Sequence, residues 1–172
     1  MATPLGQIGQ GAVPTASLTD MMLGFIPGSI GETSVVAIAI GAIILLWSGV
    51  ASWKTMLSVF VGGGLTAALF HACGTTPITW YEHLVLGGFA FGAVFMATDP
   101  VTSARTETGK WIYGFLIGFM AVVIRVLNPG YPEGMMLAIL LMNVFAPLID
   151  YCVVERNVSH RVSRAKNNKK EA

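Results

Sequence analysis

The chain has 172 residues, of which 54% are hydrophobic and only 11% charged, with 20 glycines and a formal net charge of +1. So little charge in so much apolar sequence excludes a separate soluble domain, and suits helices packed closely through small surfaces. The weak net charge argues against nucleic acid as a partner.

In chain order, residues 1–33 come first and contain no Lys or Arg. They have no positively charged n-region and no clean apolar h-region, so further sequence upstream is expected. Ser17-Leu-Thr-Asp-Met-Met-Leu-Gly-Phe-Ile reads as a short interfacial or re-entrant helix. Ser17 or Thr19 caps it, and Gly28 beyond Pro27 ends it.

Five apolar segments follow, at about 34–50, 55–73, 84–98, 111–127 and 134–154. A helix needs roughly 20 residues to cross a hydrocarbon core of about 30 Å, so these predict an all-α integral membrane protein with about five transmembrane helices. The third segment is short and is expected to begin in the preceding loop. Lys54 follows the first span, Arg105 and Lys110 follow the third, and six basic residues from Arg156 onward follow the fifth. Nine of the ten basic residues therefore share one face. By the positive-inside rule that face is cytoplasmic, with the N-terminus outside and the C-terminus inside. The expected organisation is an extracytoplasmic segment 1–33, a five-helix domain 34–154 and a basic cytoplasmic tail 155–172 that also touches anionic lipid.

Ionisable groups at or inside the membrane are costly unless paired or hydrated, which makes them the first candidates for function. Glu32 lies at the outer entrance to the first span, either as a helix-start carboxylate or on an ion route. Asp99 ends the third span, where Pro100 stops the helix and leaves carbonyls, hydroxyls and a carboxylate together. That is hard-oxygen chemistry suited to a sodium ion or a flavin edge, or an ordinary helix terminus. Asp150 follows Pro147 near the inner end of the fifth span, serving an ion or proton route or a structural hydrogen bond. Arg125 faces Glu133 across a short turn, as a clamp on the helical hairpin or a contact for a cofactor phosphate.

Cys73 and Cys152 fall at opposite faces, which rules out a pair within the chain, and both read as small buried residues. His71, His83 and His160 lack metal-ligand spacing and are expected to form local hydrogen bonds. No metal site is predicted. Trp80, Tyr81 and Trp111 read as an aromatic belt.

A resemblance is carried by Gly28-Ser-Ile-Gly-Glu-Thr-Ser34, Gly87-Gly-Phe-Ala-Phe-Gly92, Phe95-Met-Ala-Thr-Asp-Pro100, Thr108-Gly-Lys-Trp111, Ile124-Arg-Val-Leu-Asn-Pro129, Pro132-Glu-Gly-Met-Met-Leu-Ala-Ile139 and Asn143-Val-Phe-Ala-Pro-Leu-Ile-Asp150. Together they resemble the C-terminal half of the NqrB subunits of the sodium-translocating NADH:quinone reductases (Nqr). The RnfD subunits of the Rnf ferredoxin:NAD complexes share the Gly-Glu-Thr-Ser and Ala-Thr-Asp parts and are the alternative.

The resemblance implies one half of a two-repeat bundle similar to urea and ammonium channels, in the bacterial inner membrane. It also implies covalent FMN on Thr3, because Ala2-Thr3-Pro4-Leu5 is similar to the end of the family's flavin-attachment motif. The acid and hydroxyl residue earlier in that motif are absent, so the chain is expected to start inside it. A flavin transferase would supply the FMN, a riboflavin held in the subunit would relay electrons to quinone, and Glu32, Asp99 and Asp150 would serve sodium movement. Nothing in the chain resembles an NADH site. The implied partners are the missing N-terminal half and the other Nqr subunits, NqrA, NqrC, NqrD, NqrE and NqrF. No catalytic residue is assigned. Half of a channel or transporter without redox chemistry is the alternative from another class.

Overall fold

The computed structural model describes residues 17–28, 31–76, 79–86, 88–128 and 133–171. Among these the elements are all helical: α1 (Leu18–Leu23), α2 (Val35–Trp47), α3 (Trp53–Ala72), α4 (Trp80–Val85), α5 (Phe89–Phe91) running into a π-helical turn (Gly92–Met96), α6 (Glu107–Leu127) and α7 (Met135–Glu171). Three stretches, Trp53–Ala72, Glu107–Leu127 and Met135–Arg164, are long and apolar enough to cross a membrane. α2 is apolar but shorter.

The frame is the pair α3 and α6. Ser58 Oγ donates to the Trp111 carbonyl at 2.5 Å near their N-terminal ends. Farther along, a Cβ at Gly62 would run into the backbone of Phe115, and one at Gly118 into the Val59 carbonyl. A Cβ at Gly114 would lie 2.7 Å from the Thr55 carbonyl. Three glycines thus let two backbones touch, the device that substitutes for hydrophobic driving force between helices in lipid. The order of these contacts makes α3 and α6 parallel. The chain between them must therefore return from one end of the bundle to the other, and 79–106 is that return.

α7 runs antiparallel to α6. A Cβ at Gly134 would lie 2.7 Å from the Ala121 carbonyl, Tyr113 Oη donates to Asn143 Oδ1 at 2.5 Å, and Asp150 reaches Thr106 at the start of α6. Pro147 lies inside α7 and removes the amide that would have bonded to the Asn143 carbonyl. The basic segment after Arg156, read as a tail, continues as helix to Glu171. The main core, around Val59, Phe89, Tyr113, Ile117, Val122 and Ile139, fills the space between α3, α6, α7 and the returning segment.

α2 is capped by Ser34, whose hydroxyl accepts from the Ala37 amide at 3.3 Å. Apolar on every side, it buries Ile38 alone among its residues. Ile40, Ile43 and Ile44 are open, and Trp47 is 89% exposed. A helix of this kind is solvated by lipid or by another protein surface.

Two expectations about local structure change. α1 ends at Gly24 rather than Gly28, because Gly24 takes the left-handed conformation (φ +91°) and its amide returns to the Asp20 carbonyl. Its start is as read, since the Ser17 hydroxyl accepts from the Asp20 amide at 3.3 Å. The cysteines, expected to be buried, are both exposed and free.

Candidate functional site

The third pass was expected as one helix over 84–98, but it is interrupted. α4 begins with a capping box in which Glu82 accepts from the Thr79 amide and hydroxyl at 2.8 and 2.7 Å. It stops at Val85, and Leu86 is extended (φ −77°, ψ 137°). Helix resumes at Phe89 after Gly88 and loosens into the π-helical turn. Five residues of π geometry inside an apolar segment are uncommon and tend to mark functional positions. The interruption frees backbone groups that no lipid could satisfy.

Arg125 satisfies two of the carbonyls. It is 6% exposed, and its guanidinium nitrogens donate to the carbonyls of His83 at 2.6 Å and Leu86 at 3.2 Å. Its charge lies at the carbonyl end of α4, the negative end of a helix, and 6.0 Å from the Phe89 ring centre. These bonds of Arg125 therefore brace the interruption. Glu133 acts on Arg125 electrostatically, as its place in the sequence suggested, while folding also brings two stranded carbonyls within hydrogen-bond reach of the guanidinium.

Glu32 approaches the other side of the gap. A Cβ at Gly88 would lie 2.9 Å from Glu32 Oε2, so this glycine makes room for a carboxylate beside the N-terminal end of the resumed helix. Glu133 is within electrostatic reach of both Glu32 and Arg125. Partial burial, and then the Glu32 carboxylate, push the Glu133 carboxyl above its ordinary range. His83 completes the cluster. It is 1% exposed, and among the described residues neither ring nitrogen has a hydrogen-bond partner, against the expectation of a local bond.

The other two predicted acids lie at the opposite, basic end. Asp99 forms a tight turn, accepting from the Thr102 hydroxyl at 2.7 Å and from the amides of Val101 and Thr102 at 3.3 and 3.2 Å. These bonds, the Thr102 hydroxyl foremost, hold its carboxyl below the usual range. Asp150 accepts from the amides of Arg105 and Thr106 at 2.7 and 3.0 Å and from the Thr106 hydroxyl at 2.6 Å. It ties α7 to the start of α6, where Thr106 in turn caps Gly109 at 3.1 Å. Asp99 is within electrostatic reach of Tyr113, which bonds to Asn143 deeper in the bundle.

The structure thus sorts the three predicted acids into Glu32 at the interruption and Asp99 and Asp150 at the basic end. Thr3 lies outside the described residues. Among the described residues no three His, Cys, Asp or Glu side chains converge as a metal site. Sequence reasoning missed the interruption and the part played by Arg125. The available signal was Gly87-Gly88 with Gly92 inside a segment already too short to span as one helix.

The sequence model of the NQR2, RnfD, RnfE family matches residues 1–159. Among curated proteins, the chain is 57% identical over 164 residues to the NqrB subunit of the Na(+)-translocating NADH-quinone reductase of Chromohalobacter salexigens, covering 92% of this chain and 40% of that protein. The subunits of the same name from Klebsiella pneumoniae (54% identity; 95% of this chain, 43% of that protein) and Yersinia pestis (55%; 84% and 36%) are similar. The chain spans about two fifths of the length of these curated relatives. With a family match over nearly its whole length, the chain belongs to the NQR2, RnfD, RnfE family.

Proposed function

We propose that this chain forms the C-terminal part of a membrane subunit of a sodium-translocating NADH:quinone reductase, and that the interrupted third pass is its part of the ion route. The observation that carries this is the interruption itself. A gap in an apolar pass has a guanidinium at the carbonyl end of one half-helix and a carboxylate at the amide end of the next. Transport proteins place unwound backbone and half-helix ends at their binding sites, because these supply oxygen ligands and partial charges inside an apolar medium. Glu32 would receive the ion at the outer end. Asp99 and Asp150 would serve the cytoplasmic end, with the basic residues on that side by the positive-inside rule.

The names of the relatives favour the quinone reductase over the Rnf-type alternative. In this reading Thr3 would hold FMN by its phosphate, a flavin transferase having placed it, and a riboflavin would lie within the subunit. The flavins would supply electron transfer toward quinone, and NADH oxidation would belong to a partner subunit. The residues of this chain contribute the ion route and the closed helical frame around it. The remaining subunits and the preceding half of the protein would complete the complex in the bacterial inner membrane.

The test is Glu32→Gln in the full-length subunit, assembled in its complex and reconstituted into vesicles. Sodium uptake coupled to quinone reduction should fall while the complex stays assembled, with the half-saturating sodium concentration raised. Unchanged sodium dependence would remove Glu32 from the route. Loss of in-gel flavin fluorescence in a Thr3→Val subunit tests the flavin assignment separately.

A further inference from the structure

At the basic end, a cavity of about 430 Å³ opens between the α2–α3 turn, the segment 98–105 and the start of α6. Lys54, Arg105 and Lys110 line it, together with the hydroxyl residues Ser52, Thr98 and Ser103. The cations come from three different segments. Glu107 accepts from both Lys54 and Lys110 and so holds the two ammonium groups at the rim. The Arg105 backbone amide is used by Asp150, but among the described residues its guanidinium makes no hydrogen bond or ion pair. Ser52, the N-cap of α3, makes no side-chain capping bond, which leaves the first amides of a 20-residue helix facing this end. Among the lining residues one carboxylate stands against three cations, and Asp150 lies within electrostatic reach of Arg105 from outside the lining.

We propose that this cavity binds a phosphate oxyanion, and that its source is the headgroup of an anionic phospholipid. Arg105 would take two phosphate oxygens through its planar fork, Lys54 and Lys110 would act as point charges, and the hydroxyls and α3 amides would fill the remaining oxygens. The surroundings favour lipid over a soluble phosphate. Trp53 lines the cavity at 54% exposure and stacks edge-on against Trp111, with ring centres 6.1 Å apart. Val50 beside it is 55% exposed. Indole rings of this kind mark the headgroup level, and the open apolar surface next to the charge suits an acyl chain.

The experiment uses the full-length subunit in its assembled complex. Native mass spectrometry would follow titration with phosphatidylglycerol, with phosphatidylcholine and with inorganic phosphate, for the native complex and for Arg105→Gln, Arg105→Lys and Ser103→Glu. A retained phosphatidylglycerol that phosphatidylcholine does not replace is expected, with binding about tenfold weaker in Arg105→Gln, the usual size for a lost charge-assisted bond. Arg105→Lys should recover part of the loss. Ser103→Glu, which places an anion in the cavity without removing a cation, should weaken binding similarly, and it keeps the test open should Arg105→Gln not assemble. Displacement of the lipid by inorganic phosphate, with phosphate retained on the complex, would overturn the lipid source in favour of a soluble anion. Equal phosphatidylglycerol retention in the native complex and in Ser103→Glu would overturn the site.

Discussion

The α3–α6 pair and the interrupted third pass lie side by side in one bundle and are held by opposite means. α3 and α6 meet through missing side chains: Gly62, Gly114 and Gly118 bring the backbones into contact, with the Ser58 hydroxyl bonded across to the Trp111 carbonyl. The third pass is held by a charged side chain, because its backbone has given up helical bonds that Arg125 must replace. Close packing has one arrangement and resists change. A segment that depends on a few charge-assisted bonds can be altered by whatever competes for those bonds. The frame is therefore the fixed partner, and the interruption is where a cation passing Glu32 would be felt.

The largest effect should come from breaking the frame. Gly118→Leu drives a side chain into the Val59 carbonyl and the Gly63 amide, neither of which can move without displacing α3. A loss of about 3 kcal/mol is expected, read as failure to assemble or a lowered unfolding temperature in detergent. A variant with normal thermal stability would show the pair to be looser than its geometry.

Removing the brace comes next. Arg125→Met leaves two inward carbonyls without donors and should cost about 2–3 kcal/mol. The loss should be confined to the third pass, so hydrogen exchange should rise over 83–88 while α3 and α6 stay protected. Equal acceleration in all three would erase the distinction between frame and interruption.

Asp150→Asn probes the basic end. The amide keeps one acceptor oxygen but loses the charge that strengthens three bonds to Arg105 and Thr106, a loss of about 1–2 kcal/mol. If Asp150 also serves the ion route, the half-saturating sodium concentration changes with it. Lower stability with unaltered sodium dependence would make it a structural tie only.

The smallest effect concerns pH. Because the Asp99 carboxyl is held below its ordinary value in the fold, its turn contributes stability above the unfolded value near 3.8 and loses it as pH falls through the lower folded value. Asp99→Asn should flatten the acid limb of a stability profile below about pH 4 and lower it by a small, pH-independent amount at neutral pH. An unchanged acid limb would show that the turn does not draw stability from the charge.

Much of this was legible in the chain. The apolar segments, their small residues and the one-sided placement of Lys and Arg follow from the cost of polar groups in lipid, which acts on each segment separately. Ser17 as a helix start is a local matter too, and its hydroxyl accepts from the Asp20 amide. Asp99 was recognisable as the end of a helical segment and Asp150 as lying near the inner end of the last apolar span, although its helix continues to Glu171. Their hydrogen-bond partners were not equally readable: those of Asp99 lie within three residues, while those of Asp150 lie more than forty residues away.

By itself the sequence determined the all-α class, the apolar segments and the acids on which an ion route can be proposed, because burial preference and helix punctuation are properties of short stretches. Only the tertiary structure decided that the third pass breaks, that Arg125 bonds to the His83 and Leu86 carbonyls, and that three separate basic residues share one cavity. Each of these depends on which groups meet across the bundle. A stranded carbonyl takes the strongest donor within reach, and reach is set by the packing of helices far apart in the chain.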